Sequence, residues 1–483
     1  MSFTSVIFLI LLFPLFFVGY FIKKEYQNIF ILILSVLFYF WCGLKFLILI
    51  TLSATCAYLF GLILGKLKKV TARRSVLAAA VMLHVGVLFY YKYLFDLFPD
   101  LLNVLNWEYP ALPLGISFYT FSILSYILDV YWEKCEAQKN ILNVYFYVLF
   151  FPKVIQGPIM RYSDFEAQLY NRKTDACALN AGLERFIKGM AKKVLIADRI
   201  QPVVSYSFGA VGEIGTIPAW LGLLAYLIQL YYDFSGYSDM AIGLGKMMGF
   251  TLPENFEHPY LSGSVGEYWR RWHISLGEWF RDYIYTPVLR ILLEKKTFGK
   301  FKNQMMCCDL LALLCVWVLT GIWHGSGSKY FAWGMWYFVF IAFERIRDNY
   351  RKKRRKMKKI KGKKNTPFQL IADRLVAIIA VVFGQVIFRA ESLSGAMEYW
   401  KRMLVWDKRD GLLFVSLFDH YTIFIMILGV IFFFPVYDKV KEKLVGNSPY
   451  ALIFYRIGLL LLGLISFYYA VSAGYSAFLY EVF

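Results

Sequence analysis

Long apolar runs alternate with short charged interruptions along most of the chain. A membrane-spanning helix needs ~20 mostly apolar residues, and ~17–25 are tolerated. On this criterion the pattern predicts an all-α polytopic membrane protein with about eleven to thirteen crossings, since span ends read from sequence are uncertain by a few residues. The predicted spans are Phe3–Phe21, Phe30–Trp41, Phe46–Leu64, Leu77–Leu94, Leu114–Tyr131, Ile141–Ile159, Trp220–Phe250, Leu310–Trp323, Tyr330–Phe343, Leu370–Phe388, Tyr421–Val436 and Leu452–Val471.

Three segments depart from the pattern of a simple span. Ile141–Ile159 ends in FPKVIQGP, where two prolines bracket a glycine, and this backbone either lines a cavity or ends the helix at the interface. Trp220–Phe250 is too long for one span and carries YDFSGYSD at its centre, which predicts a broken or re-entrant helix around a polar cavity. Leu183–Val194 alternates apolar and basic residues, as an interfacial amphipathic helix does.

Composition supports the membrane prediction, and the position of the charges narrows the class of partner. Of the 483 residues, 59% are hydrophobic and 18% charged, with a net charge of +20. Much of the positive charge lies in the stretch RKKRRKMKKIKGKK (Arg351–Lys364), between two apolar runs. Lys and Arg accumulate on the cytoplasmic side of membrane proteins, where they also meet anionic lipid. The stretch is therefore interpreted as a cytoplasmic loop rather than a nucleic-acid site, with an acidic partner or phosphorylated substrate as the alternative.

Basic residues at the ends of the first spans predict the orientation. Lys23 and Lys24 follow the first run, and two crossings later the chain reaches the basic segment Lys66–Arg74. Both basic groups then lie in the cytoplasm, which places the N-terminus outside. The first residues lack the basic region and cleavage site of a signal peptide, so the first run is expected to remain as a helix.

The most charged stretch within the apolar part of the chain is EYWRRWHISLGEWFRDYIYTP (Glu267–Pro287). On a helix, Arg270 and His273 share a face. One interpretation makes the arginines an anion site for a phosphate-bearing donor, because Arg suits phosphate. The other is a charged cytoplasmic helix in which Glu267 pairs with Arg270 or Arg271. Spacing leaves both open.

His324 is the strongest candidate for a catalytic residue. It ends an apolar run and is followed by the small, flexible residues Gly325–Ser328. Burial disfavours the charged form of imidazole, so a buried ring stays neutral and can accept a proton. The alternative is a helix-end histidine bonded to backbone.

The other candidate chemistry is sparse. His84, His258 and His420 have no polar constellation around them and are interpreted as structural. The seven cysteines show no CxxC and no zinc-ligand spacing with histidine, so no metal site is predicted. No HxxxH and no hydrolase-type His-Asp-Ser order occurs.

Six motifs resemble those of membrane-bound O-acyltransferases, and most closely the bacterial alginate O-acetyltransferase branch, to which the teichoic-acid D-alanyl transfer protein is related. In chain order they are PLGISFYTF from Pro113, QGP from Gln156, YDFSGYSD from Tyr232, PENF from Pro253, YWRRWHISL from Tyr268 and WHG from Trp323. The resemblance runs from about residue 110 to 335 and implies one membrane domain over 1–483, with the basic loop at 348–366.

The resemblance implies a ring of transmembrane helices around a thin centre that is pierced by a funnel or tunnel. It implies that His324 is catalytic and that His273 is a second functional histidine. It also implies acetyl-CoA, or an acyl carrier thioester, as donor substrate without a permanently bound cofactor. The acceptor is an exported polysaccharide, reached with an extracytoplasmic SGNH-type esterase or transferase as partner, at the plasma membrane of a bacterium. The expected donor-binding residues are Arg270, Arg271, Arg281, Trp269 and Trp323, and the expected tunnel-lining residues are Asp233, Ser235, Tyr237 and Gln156.

Two alternatives remain at this point. The first is D-alanyl transfer from an acidic carrier protein, for which the Arg351–Lys364 stretch is a suitable dock. The second is a non-enzymatic solute transporter whose polar centre binds a solute. The absence of an internal sequence repeat weighs against the transporter.

Overall fold

A computed structural model describes residues 2–299, 303–357, 366–409, 412–445, 449–472 and 478. Within these ranges the regular structure is helical, and the one β interaction is an isolated antiparallel bridge between Phe256 and Trp272. The predicted all-α fold is thus confirmed. Of the predicted basic loop, Arg351–Met357 is instead the end of the helix Ser328–Met357, and residues 358–365 lie outside the described part of the chain.

Five helices in the described part of the chain are long and apolar enough to cross a membrane. At 1.5 Å per residue, a helix of ~20 residues spans the ~30 Å hydrocarbon core. The chain is therefore a multi-pass membrane protein, although five is fewer than the eleven to thirteen crossings expected. Some of the other apolar runs form shorter or broken helices, and two lie in the long helices Thr216–Met247 and Ser328–Met357, which also carry polar and charged residues. The five are Leu44–Lys66, Val70–Leu97, Gln304–His324, Pro367–Arg389 and Tyr450–Ser472, and the shorter apolar helices are Phe8–Tyr20, Ile116–Tyr131 and His420–Ile431.

The described residues form two compact units. The first contains Met1–Leu195, Tyr232–Glu254 and Pro449–Phe483, and the second contains Ile196–Tyr231 and Asn255–Ser448. One long helix, Thr216–Met247, contributes its two halves to different units.

The first unit is built around a core of aromatic and branched side chains. Phe3, Phe38 and Phe151, all fully or almost fully buried, are at its centre. The helical segments of this unit are Phe8–Leu12, Phe13–Tyr20, Lys24–Phe40, Leu44–Lys66, Val70–Phe89, Tyr90–Leu94, Phe95–Leu97, Asp100–Leu105, Ile116–Tyr131, Ile141–Leu149, Phe151–Val154, Tyr162–Glu166, Ala176–Ala191, Lys192–Ala197 (which runs into the second unit) and Pro449–Ser472, with part of Thr216–Met247.

The predicted span Ile141–Ile159 is wrong as a single helix. The chain breaks at Phe150, whose backbone is not helical (φ −50°, ψ 102°), so that Ile141–Leu149 is separated from the short helix Phe151–Val154. Pro152 lies in the first turn of that short helix, where the missing N–H leaves no unpaired donor.

Two helices of the first unit approach each other backbone to backbone through glycines. A Cβ added at Gly182 would lie 2.5 Å from the Gly243 carbonyl, and one at Gly189 would lie 2.5 Å from that of Gly236. Such close approach is what small residues permit between membrane helices. The prediction of a broken helix over Trp220–Phe250 is wrong, because Thr216–Met247 is one continuous helix.

In the second unit, Gln304–His324 (the histidine helix) and Ser328–Met357 (the return helix) form an antiparallel hairpin. Gly321 and Gly334 lie in the contact between them, and near the far end Arg345 pairs with Asp309. The helical segments of this unit are Asp198–Gly209, Pro259–Leu261, Val265–Arg271, Ile274–Phe280, Arg281–Tyr285, Thr286–Glu294, Gln304–His324, Ser328–Met357, Pro367–Arg389, Leu393–Leu404, Leu412–Ser416, His420–Ile431 and Val436–Val445, with part of Thr216–Met247.

Candidate active site

His324 is the last residue of the histidine helix, and aromatic rings surround its imidazole. The residue is only 4% exposed. Its ring centroid lies 4.6 Å from that of Trp323, 4.9 Å from Trp333 and 5.0 Å from Phe388. Tyr330 stacks on it at 6.4 Å. The immediate surroundings of the His324 ring are therefore largely aromatic.

His273 does not lie on a continuous helix, so the predicted shared face with Arg270 is wrong. The helix Val265–Arg271 ends before it, the helix Ile274–Phe280 begins after it, and His273 itself has a left-handed backbone (φ +45°, ψ 54°). Left-handed backbone is uncommon outside glycine, although Asn, Asp and His adopt it more often than other residues, and residues in sparsely populated conformations cluster at functional sites.

A preceding segment holds this turn in place. The Asn255 carbonyl accepts a hydrogen bond from the Ile274 N–H at 3.0 Å, and the Glu257 N–H donates to the Arg271 carbonyl at 3.0 Å. The side-chain oxygen of Asn255 accepts from the Ser275 hydroxyl at 2.6 Å. Asn255 is fully buried, so these bonds fix the backbone on the C-terminal side of His273 without competition from water.

Trp323 lies next to both histidines. Its ring centroid is 4.6 Å from that of His324 and 6.3 Å from that of His273. Trp269 provides a second link, since it packs edge-on against Trp333 at 5.5 Å, and Trp333 contacts His324. The structure therefore brings together His324, His273, Trp323 and Trp269, whose catalytic and donor-binding roles stay predictions.

Burial favours the neutral state of His273. His273 is 3% exposed and lies outside the helices that could span the membrane. Its burial lowers the pKa of the imidazole to about 3. His273 is therefore neutral at physiological pH, and a hydrogen-bonding or electrostatic role suits it better than a cationic one.

The three candidate donor-binding arginines differ in their partners. Arg271 pairs with Glu267 at 2.7 Å, as the structural interpretation of this stretch predicted. Arg281 contacts Asp282 at 2.9 Å and Glu278 at 3.5 Å. Arg270 is exposed and forms no ion pair with any residue in the described ranges. Of the three, Arg270 has the guanidinium most available to an anionic ligand.

The four predicted tunnel-lining residues lie in the first unit and are all buried. Asp233 pairs with Lys193 at 2.7 Å, and Tyr237 stacks on Phe3 at 4.8 Å. Both amide atoms of Gln156 lack a hydrogen-bond partner within the described residues. A buried amide without protein partners is costly unless water or a ligand satisfies it, so Gln156 fits best with a lining role, which stays a prediction for all four.

Sequence reasoning missed the partners of the carboxylates in YDFSGYSD. Lys192 and Arg185 both contact Asp239 at 2.6 Å, and Lys193 is only 1% exposed. Of these cations Lys193 is almost fully buried, whereas Arg185 and Lys192 are partly exposed, so the interfacial position of Leu183–Val194 stays a prediction. The signal was available, because positions 185, 192 and 193 share one face of a helix.

Sequence reasoning also missed three aromatic residues that contact the His324 ring, namely Trp333, Phe388 and Tyr330. Phe388 comes from a helix 64 positions later in the chain (388 − 324), and single aromatics in apolar runs carry no positional signal. The remaining histidines lie elsewhere: His84 is buried within Val70–Phe89, His258 bonds the Phe433 carbonyl at 2.9 Å, and His420 begins a helix.

This chain belongs to the membrane-bound O-acyltransferase family. The family model matches residues 136–363, which include both candidate histidines and the arginines beside His273. The family consists of acyltransferases, so the protein is an O-acyltransferase, and the transporter alternative is set aside.

Among curated relatives, the probable alginate O-acetylase AlgI of Pseudomonas aeruginosa is 37% identical over 415 residues, which covers 83% of this chain and 75% of the relative. The peptidoglycan O-acetyltransferase of Helicobacter pylori is 27% identical over 83% of this chain and 79% of its own length. The teichoic acid D-alanyltransferase of Bacillus subtilis is 29% identical over 50% of this chain and 60% of its own length.

Proposed function

We propose that this chain transfers an acetyl group from a cytoplasmic thioester donor across the membrane for O-acetylation of an exported or cell-wall polysaccharide. The observation that carries the proposal is the 37% identity to an alginate O-acetylase over 83% of this chain. The buried, aromatic-walled His324 supports it, because a positioned imidazole can serve as a general base.

In the proposed reaction, the neutral imidazole of His324 takes the proton of an acceptor hydroxyl. The hydroxyl oxygen bonds to the thioester carbonyl carbon, the carbon–sulfur bond breaks, and the departing sulfur receives the proton back from the imidazolium. Positioned general-base catalysis contributes ~10²–10⁴ in rate. In this proposal, the His273 side chain, which lies beside Trp323, is a second polar group that interacts with the reacting carbonyl.

The proposed donor is acetyl-CoA, used as a substrate and released as free thiol. Its phosphates need cationic partners, and Arg270 is the guanidinium of the charged stretch that is exposed and not engaged by a described carboxylate. In this proposal, Arg271 and Arg281 form ion pairs with neighbouring carboxylates and belong to the same donor-binding surface as Arg270.

The proposed setting is the plasma membrane of a bacterium, with the N-terminus outside. The acceptor hydroxyl would be presented from outside by an SGNH-type transferase, which completes the delivery to the polysaccharide. The relatives act on polymers named alginate and peptidoglycan, which supports a carbohydrate as the final acceptor here.

The test uses inverted membrane vesicles that contain the full chain, supplied with acetyl-labelled CoA outside and a polysaccharide acceptor with its SGNH-type partner inside. The proposal expects label in the polysaccharide with wild-type protein and none with His324→Gln at equal protein level. A parallel arm supplies D-alanyl-loaded carrier protein, since one relative is a D-alanyltransferase. Transfer from the carrier alone would replace acetylation with D-alanylation, and transfer from neither would refute the proposal.

A further inference from the structure

A cavity of about 1010 Å³ lies in the first unit, and none of the candidate active-site residues lines it. One wall is the connection between Leu44–Lys66 and Val70–Leu97, the first two candidate spans in chain order, and the other is the turn that follows Ile116–Tyr131. Ligand sites typically enclose ~300–1,000 Å³, so the space suits a small molecule or a lipid headgroup. The lining residues are Leu62, Leu64, Gly65, Lys66, Leu67, Lys68, Arg73, Val130, Glu133, Lys134, Cys135, Glu136, Ala137 and Lys139.

Positive charge dominates this lining, with five cationic side chains against two carboxylates. Arg73 contacts Glu133 and donates to the Tyr131 carbonyl at 2.6 Å, so this pair fixes one wall and cancels its own charge. Lys134 lies 3.7 Å from Asp129, outside the cavity lining.

Three unpaired lysines and Glu136 remain, so the lining keeps an excess of positive charge. Lys66, Lys68 and Lys139 are exposed, and none of their ammonium groups forms an ion pair or hydrogen bond with residues in the described ranges. Like charges that line one space repel each other, and an anion between them relieves that repulsion.

The cavity lies at the ends of two membrane spans and has both a basic and an apolar part, which scattered topology-setting lysines would not form. Lys66 is the last residue of one span and Val70 the first of the next, so the cavity opens where the hydrocarbon ends. The Leu62 and Leu64 side chains continue the lining toward the apolar side. An amphiphile with an anionic head and an apolar tail would match both parts of the lining.

We propose that this cavity binds a phosphate group, supplied by the headgroup of an anionic glycerophospholipid. Lysines and arginines near the cytoplasmic leaflet attract anionic lipid at ~1 kcal/mol each. A soluble phosphate ester, such as the nucleotide part of CoA, shares the same chemistry and is the other possible source. The inference does not depend on the acyl-transfer proposal.

The test measures binding to the full chain in nanodiscs and in detergent by native mass spectrometry. The probes are phosphatidylglycerol, with phosphatidylcholine as the neutral comparison, and free CoA. The variant is Lys66→Gln/Lys68→Gln/Lys139→Gln, which neutralises exposed side chains and leaves the Arg73 wall intact. The matched controls are the triple Lys→Arg variant and Lys295→Gln/Lys296→Gln, two exposed lysines elsewhere in the chain.

We expect the triple Gln variant to lose preferential phosphatidylglycerol binding by on the order of a hundredfold, while both controls keep it. Selective loss of CoA binding would instead assign the cavity to a soluble phosphate. Retention of both ligands by the triple Gln variant, or an equal loss in the Lys295/Lys296 control, would overturn the phosphate site. If a variant that no longer binds the lipid still transfers the acyl group normally, lipid binding at this cavity is independent of the proposed acyl transfer.

Discussion

Two buried carboxylates of the first unit and the buried His324 of the second have opposite kinds of surroundings. In the first unit, the carboxylates of Asp233 and Asp239 are each matched by cations at 2.6–2.7 Å. In the second unit, the His324 imidazole is surrounded by the rings of Trp323, Trp333 and Phe388 at 4.6–5.0 Å. A buried charge needs a partner of opposite sign, whereas a neutral imidazole can be buried among apolar rings at lower cost.

The difference separates polar groups that stabilise the fold from polar groups that can act as a catalytic base. A carboxylate held by lysine and arginine has its lone pairs engaged and its proton affinity reduced, so it is a poor base. A neutral imidazole retains a basic nitrogen. Sequence alone gave both sets the same appearance, namely polar residues inside apolar runs.

The largest expected effect on stability concerns the Lys193–Asp233 pair. Asp233→Leu leaves the Lys193 ammonium buried, and breaking a buried pair costs ~3–5 kcal/mol. Thermal unfolding of the purified variant in detergent should show a large drop in Tm. The double variant Lys193→Met/Asp233→Leu, which removes both charges, should recover most of it. A single variant as stable as wild type would show that the pair is not structural.

A smaller effect is expected when the support of His273 is removed. Asn255→Ala deletes the oxygen that holds Ser275, and a misplacement of ~1 Å near a reacting centre can cost ~10²-fold. We expect kcat to fall ~10–100-fold with little change in the KM for the donor. Ser275→Ala, which removes one of these bonds and keeps Asn255, should have a weaker effect. A change confined to KM would contradict a positioning role.

The pH dependence of stability provides the next test. Burial lowers the pKa of His273 to about 3, against an ordinary value of ~6.5. Between these values the unfolded chain binds a proton that the folded chain does not, so folding stability falls as pH drops below ~6.5, by about 2 kcal/mol at pH 5. His273→Gln should remove this component. Parallel stability curves for variant and wild type from pH 7 to pH 5 would refute it.

The smallest effect is expected among the arginines. Arg270→Ala should raise the KM for the donor severalfold with kcat nearly unchanged, because it removes a binding charge and leaves the histidines untouched. Arg271→Ala and Arg281→Ala should raise KM less, since those guanidinium groups already contact carboxylates. Equal effects for all three would show that their ion pairs do not limit donor binding, and an effect confined to kcat would contradict donor binding altogether.

The sequence predicted those parts of the fold that depend on local pattern. The apolar run before Lys66 becomes the helix Leu44–Lys66, and the run before His324 becomes the histidine helix, because hydropathy and helix length are properties of contiguous residues. His324, His273, Trp269 and Trp323 were also identified together, through motifs that lie within short stretches.

The errors come from contacts between distant segments. The helix through His273 is interrupted because Asn255, 18 positions earlier (273 − 255), bonds the backbone just after it. The pairing of Asp233 with Lys193 was not predicted, because Lys193 was assigned to a separate interfacial helix. Neither pairing leaves a trace in the local pattern of apolar and polar residues.

The most direct test of the central claim is the rate of acetyl transfer by His324→Gln, measured with labelled acetyl-CoA in vesicles that contain equal amounts of folded protein. Gln keeps the size and polarity of the side chain but cannot take a proton. A neutral imidazole acting as general base predicts a loss of ~10²–10⁴ in rate with normal protein level and membrane insertion. Transfer at the wild-type rate would remove His324 from the mechanism.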